Sequence, residues 1–197
     1  MKRSIILISI LLAGKFSFSQ SDFSKCYDSI FTSKKETRNL FLSFSDWQNC
    51  IKGKQMPYLS VETITGEKIE TDKLKGKVVM INLWFTACTP CIAEIPALNR
   101  LVKEYKDSNV VFLGLSLDTK KMLDANFFPK YKFDFIIVPD AKDIVKQIGQ
   151  TGYPTTYIID KRGNVQAAWV GGSTDEKAEI EVYSRAKPVI DKLLNAK

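Results

Sequence analysis

Val78-Val79-Met80-Ile81-Asn82-Leu83-Trp84-Phe85 runs into Thr86-Ala87-Cys88-Thr89-Pro90-Cys91, and Ile92 opens an amphipathic stretch. The first run is apolar without alternation, as in a strand buried on both faces. Ile92, Ile95, Leu98, Leu101, Val102 and Tyr105 then recur at helical spacing. The two thiols therefore lie where a strand gives way to a helix. A helix N-terminus stabilises a thiolate, so one sulfur there can attack at neutral pH. Pro90 suits the first helical turn, where its missing N–H costs nothing. Pro96 falls inside the stripe and is expected to kink it.

Outward from this junction the chain alternates between strand and helix patterns. Val110–Leu115 and Phe135–Val138 read as further buried strands, with helical stretches over Lys120–Tyr131 and Ala141–Ile148. Thr155–Ile159, a turn at Asp160-Lys161-Arg162-Gly163 and Asn164–Val170 form a hairpin, and Glu176–Leu194 closes the chain as a helix. Before the junction, Tyr58–Thr63 and Lys68–Thr71 flank Gly66-Glu67 as a small hairpin. This order predicts an α/β fold with a parallel core and antiparallel strands added late. Residues 20–55 form an extension. Phe23, Tyr27, Ile30 and Phe31 repeat at helical spacing there, and Ser45-Asp46-Trp47 marks a second helix start.

The first residues have the layout of a secretory signal: Lys2-Arg3, the apolar run Ser4–Gly14, then small residues at Ser17 and Ser19. We assign 1–19 to a cleaved signal peptide, with an uncleaved membrane anchor as the alternative. A lipoprotein box would need a cysteine where Lys15 stands. Removing Lys2, Arg3 and Lys15 takes three charges from the formal +7 and leaves +4. The remaining charges are interspersed, with no basic block to track a phosphate backbone, so nucleic acid is not an expected partner.

Cys26, Cys50, Cys88 and Cys91 remain after export, and an even count in an oxidising compartment favours two disulfides. Of three possible pairings, adjacency favours Cys88–Cys91 with Cys26–Cys50. We read Cys26–Cys50 as a structural staple worth roughly 3 kcal/mol; a second exchanging dithiol is the alternative. The chain has no histidine. That excludes Cys-His and Ser-His-Asp nucleophile systems, histidine-ligated zinc and a haem-binding CxxCH. No metal or cofactor is expected, since the Cys26/Cys50 spacing has no zinc-knuckle form.

Leu74-Lys75-Gly76-Lys77-Val78-Val79, Asn82-Leu83-Trp84, Cys88-x-Pro90-Cys91, Glu94, Pro96 and Gly152-Tyr153-Pro154-Thr155-Thr156-Tyr157-Ile158-Ile159-Asp160 with Gly163 occur in family-like order. Through them the stretch from Pro57 to Leu194 resembles the exported TlpA/ResA-type thiol-disulfide oxidoreductases. The resemblance implies a thioredoxin-like three-layer α/β/α fold over 56–197, with a central mixed sheet, preceded by an N-terminal hairpin and extension. It also implies a cis peptide bond before Pro154, facing the dithiol and exposing the Tyr153 backbone to a bound peptide. A carboxylate is placed at Glu94, close to the dithiol. One departure stands out: the family commonly has tryptophan directly before the first cysteine, where this chain has Ala87. An aromatic lip is thus missing, which bears on substrate affinity or redox poise.

These readings assign catalytic roles to Cys88, Cys91 and Glu94. Cys88, nearer the helix start, is expected to be the exposed nucleophile and Cys91 the resolving thiol. Glu94 would accept or supply the proton that moves as Cys91 becomes a thiolate. Asn82 stands where cytosolic thioredoxins have a buried acid, and it cannot titrate. Tyr153, Pro154 and Trp84 are the expected substrate-binding residues, Trp84 serving as core and site wall together, while Trp47 and Trp169 read as packing residues. The function implied is a periplasmic reductant of disulfides in exported proteins, with apocytochrome c a leading candidate. A membrane thiol donor of the DsbD/CcdA type would recharge it. Two other readings compete. One is a thiol peroxidase on the same fold, whose Pro-x-x-x-Thr-x-x-Cys frame would need Pro at 81 and Thr at 85, where Ile81 and Phe85 stand. The other is a non-enzymatic, disulfide-stabilised envelope binding module.

Overall fold

The computed structural model describes residues 22–32, 40–149 and 152–196. The proposed signal peptide lies outside them. Strand β3 (Val78–Trp84) is buried at every position and forms the middle of the main sheet. It pairs in parallel with β4 (Val110–Ser116), which pairs in parallel with β5 (Ile136–Val138). On its other side it pairs antiparallel with β6 (Thr155–Ile159), which pairs antiparallel with β7 (Val165–Val170). The strand order is β5-β4-β3-β6-β7, a mixed sheet as expected. The early hairpin of β1 (Ser60–Glu62) and β2 (Lys68–Glu70) stays separate from it.

Alternation along the strands divides the core into two clusters. Val78, Met80, Trp84, Ile158 and Trp169 face one way, onto α3 (Thr89–Glu104) and α6 (Lys177–Asn195). Val79, Ile81, Leu83, Tyr157 and Ile159 face the other way. That second layer includes α5 (Lys142–Gln147) and the two helices of the extension, α1 (Asp22–Tyr27) and α2 (Leu40–Ile51). Phe23 and Trp47 are fully buried, and both rings lie against Tyr157 of β6, at 6.4 and 5.7 Å between centroids. The extension therefore shares the core of the sheet it covers. A disulfide between Cys26 and Cys50 joins its helices.

Two local expectations change. Helix α2 begins at Leu40, ahead of Ser45, and its earlier part places Phe44 against Phe31 at 6.1 Å between centroids. Helix α3 runs through Pro96, so that part of the reading stands, and Leu98 and Leu101 beyond it are fully buried. The stretch expected as one helix before Pro129 is a single turn, α4 (Lys120–Met122), followed by a π turn over Leu123–Phe127. This widening buries Leu123 and Phe127 together.

Candidate active site

Strand β3 ends at Trp84, and its carbonyl accepts the Leu117 N–H. Asp118 reaches the loop that follows: its carboxylate accepts the Thr86 N–H at 2.6 Å. Ser116 supports Asp118 by accepting the Asp118 N–H and placing its own hydroxyl 3.4 Å from the carboxylate. The three residues between strand and dithiol are thus held at their middle. Sequence reasoning missed Asp118, which looks like an ordinary loop acid until β4 is placed beside β3.

Cys88 is the N-cap of α3, and its sulfur accepts the Cys91 N–H at 3.3 Å. Pro90 lies in the first turn, as expected. The two cysteines are disulfide-bonded, with Cα atoms 5.2 Å apart. Cys88 was expected to be exposed. In the disulfide it is 5% exposed against 2% for Cys91, because the bond folds Sγ back over the first turn of the helix. Ala87 and Thr89 beside it are exposed, so the approach lies over small side chains.

Glu94 lies one turn beyond Cys91 on the same helix face and is 2% exposed. Asn82 donates one Nδ2 hydrogen to Glu94 Oε1 at 2.7 Å and the other to Thr156 Oγ1 at 3.1 Å. The register explains this: Asn82 is paired with Thr156, and Thr156 with Trp169. Burial pushes the Glu94 carboxyl up to about 8; the Asn82 hydrogen bond and the Arg185 charge offset part of that rise. At neutral pH the group is mostly a carboxylic acid, able to give a proton and take it back. A Cβ at Gly172 would lie 3.6 Å from Glu94 Oε2 and 3.7 Å from Pro154 Cγ, so the carboxyl and the proline meet at one backbone position. Gly172 and Arg185 belong to no motif, and Thr156, though inside the Gly152–Asp160 run, gains its role only from the strand pairing.

The Tyr153–Pro154 bond is cis, as the resemblance implied. Tyr153 is half-buried, with its ring edge-on to Phe85 at 5.2 Å between centroids. Burial raises its phenol above the ordinary value. Trp84, expected to be core and site wall together, is 1% exposed. Phe127 and Phe133 enclose its indole at 4.6 and 5.3 Å, and Gly114 leaves it room against β4. It is a core residue beneath the site. Cys26 and Cys50 lie in the extension.

Residues 52–168 match the model of the AhpC/TSA family. The chain is 37% identical over 144 residues to the thioredoxin-like protein YneN of Bacillus subtilis, covering 72% of this chain and 85% of that one. It is 35% identical over 137 residues to the thiol-disulfide oxidoreductase ResA of Bacillus thuringiensis, covering 69% and 79%. Among solved structures it superposes on a thiol:disulfide interchange protein assigned as DsbE from Chlorobium tepidum. That match has TM-score 0.59 and 26% identity, and covers 68% of this chain and 96% of the other. The chain thus combines a junction dithiol, a buried acid one turn on and a cis proline with relatives named for thioredoxin-like and thiol-disulfide exchange chemistry. The chain belongs to the AhpC/TSA family and is a thiol-disulfide oxidoreductase of thioredoxin-like fold.

Proposed function

We propose that the protein is exported and reduces disulfides in other exported proteins through Cys88 and Cys91. The observation that carries this reading is the N-cap sulfur of Cys88 accepting the Cys91 N–H, with Glu94 buried one turn away. In the reduced protein that N–H and the helix dipole stabilise a Cys88 thiolate. The thiolate attacks a substrate disulfide, forms a mixed disulfide and expels one substrate thiolate. Cys91 then attacks Cys88 Sγ and releases the second substrate thiol. Two electrons pass to the substrate, and the chain is left with the Cys88–Cys91 disulfide. Glu94, protonated at the outset, gives its proton to the departing substrate thiolate and regains one from Cys91 as that thiol attacks.

A reductant in an oxidising compartment needs incoming electrons, and a membrane dithiol of the DsbD/CcdA type is the donor we propose. Periplasmic export through residues 1–19, and apocytochrome c among the substrates, belong to the same proposal. Among the described residues no helix is long and apolar enough to cross a membrane. The domain division proposed is 20–55 for the extension and 56–197 for the thioredoxin-like unit. The test is insulin reduction with a dithiol donor. Cys88→Ser is expected to abolish turnover, and Cys91→Ser to accumulate mixed disulfides. Full turnover by the Cys88→Ser protein would overturn the assignment. Peroxide consumption at a rate comparable to disulfide reduction would favour the peroxidase reading.

A further inference from the structure

Strand β7 is an edge of the main sheet, and half of its outer face is unpaired. The Gly171 N–H donates to the Pro154 carbonyl at 2.8 Å, which sets the alternation of the ladder. Trp169 and Ala167, opposite Thr156 and Ile158, turn their amides toward β6; Ala168 and Val170 turn theirs outward. At the start of the strand the outer edge is already used, with Val165 exchanging bonds with Gly53 and Lys54. Beyond it, among the described residues, nothing pairs with the outward groups of Ala168 and Val170. Edge strands are usually blunted by lysine, proline or a bulge. Ala167-Ala168-Trp169-Val170 contains no charge or proline.

A groove of about 760 Å³ follows this stretch. Phe44 and Gln48 of α2 form one wall, Arg185 of α6 stands on the other, and Tyr153 lies at the dithiol end. Gly152 narrows that end: a Cβ there would sit 2.8 Å from Val170 Cγ1. The stapled extension thus builds part of a groove that leads to the redox site.

We infer that this groove seats an extended segment of the protein substrate, added to the sheet as a sixth strand along β7, with an acidic side chain toward Arg185. The inference rests on the disulfide-exchange reading above and gives the substrate a chemical class. Main-chain bonds to Ala168 and Val170 supply affinity without reading sequence, while Arg185 favours a carboxylate near the substrate cysteine. Among the described residues Arg185 is the one charged residue lining the groove. A second copy paired through this edge would bring the same patch and a second positive charge, so self-association is the poorer fit.

The test uses the full chain carrying Cys91→Ser. Its Cys88 thiolate attacks the disulfide of a dimerised octapeptide with one cysteine and one aspartate per strand, keeping one peptide and releasing the other as a thiol. Hydrogen exchange at the Ala168 and Val170 amides is expected to slow about tenfold or more in the adduct. Failure of the adduct to form would defeat the nucleophile assignment of the preceding section. An adduct with unchanged exchange at both amides overturns the groove alone. Protection that appears without peptide and grows with protein concentration gives the edge to a second copy and also overturns it. Adding Ala168→Pro, which removes an outward N–H and spares the inner ladder, should return Val170 exchange to the free rate. The aspartate peptide should form its adduct about two- to fivefold faster than an asparagine version, and Arg185→Gln should remove the difference. Equal rates in the Arg185 protein overturn the charge assignment.

Discussion

The chain carries the same covalent bond twice, in two settings. Cys26 and Cys50 join two helices across a sequence separation of 24. Cys88 and Cys91 are separated by 3, within one helical turn. The first closes a long loop, and the chain entropy removed from the unfolded state is worth roughly 3 kcal/mol. The second closes a ring too small to matter in that way. It has instead an N-cap position, an amide aimed at its sulfur and a buried acid one turn on. Loop length decides what a disulfide does for stability; the groups around the sulfur decide what it does chemically.

The largest expected effect separates the two outright. Cys88→Ser should reduce insulin turnover to background, whereas a Cys26→Ala/Cys50→Ala protein should retain dithiol exchange. Loss of turnover in the latter would break the division of roles. Next comes the buried acid. Glu94 keeps its proton to about pH 8 in the fold and releases it near 4.5 when unfolded. The native state therefore binds more protons within that window, and stability falls as pH rises from about 4.5 to 8. The loss is at most about 5 kcal/mol. Denaturant unfolding across pH should show this slope, and Glu94→Gln should flatten it; an unchanged slope would mean that Glu94 is not its source.

The staple follows in size. The Cys26→Ala/Cys50→Ala protein should lose about 3 kcal/mol in urea unfolding. Since Phe23 and Trp47 share the core under Tyr157, the loss should appear as one cooperative transition. A separate early transition would show the extension to be an independent unit. The smallest effect lies at Asp118. Replacing it with alanine orphans the Thr86 N–H, at a cost of about 1–3 kcal/mol. It should also lower the rate of Cys88 alkylation in the reduced protein, by loosening the loop before the N-cap.

The site was legible where residue type and spacing act locally. An unbroken apolar strand followed by two thiols and a proline determines β3, the start of α3 and the position of both sulfurs. The Glu94 position follows from helical periodicity, one turn after Cys91. What depends on strands meeting was not legible. The partner of Asn82 is Thr156, 74 residues away, and it follows from the β3–β6 register. Asp118 needs β4 beside β3, and Gly172 needs the loop after β7 folded back against Pro154. Trp84 was legible as core, but its depth beneath the site was not, for a related reason. Alternation gives its face, but only the tertiary arrangement shows that Phe127 and Phe133 fill that side. The π turn near Phe127 has no periodic signature in so short a segment.

Asn82 spends both hydrogens of one amide, on Glu94 and on Thr156. Its side-chain amide is thus a fixed spectator of the carboxyl next to it. In an NMR titration the Nδ2 proton aimed at Oε1 should shift with a midpoint near that of Glu94, at about pH 8, while its geminal partner toward Thr156 moves far less. With Cys88 and Cys91 reduced, the same signal would report proton traffic between carboxyl and thiol without any label at the reacting sulfurs.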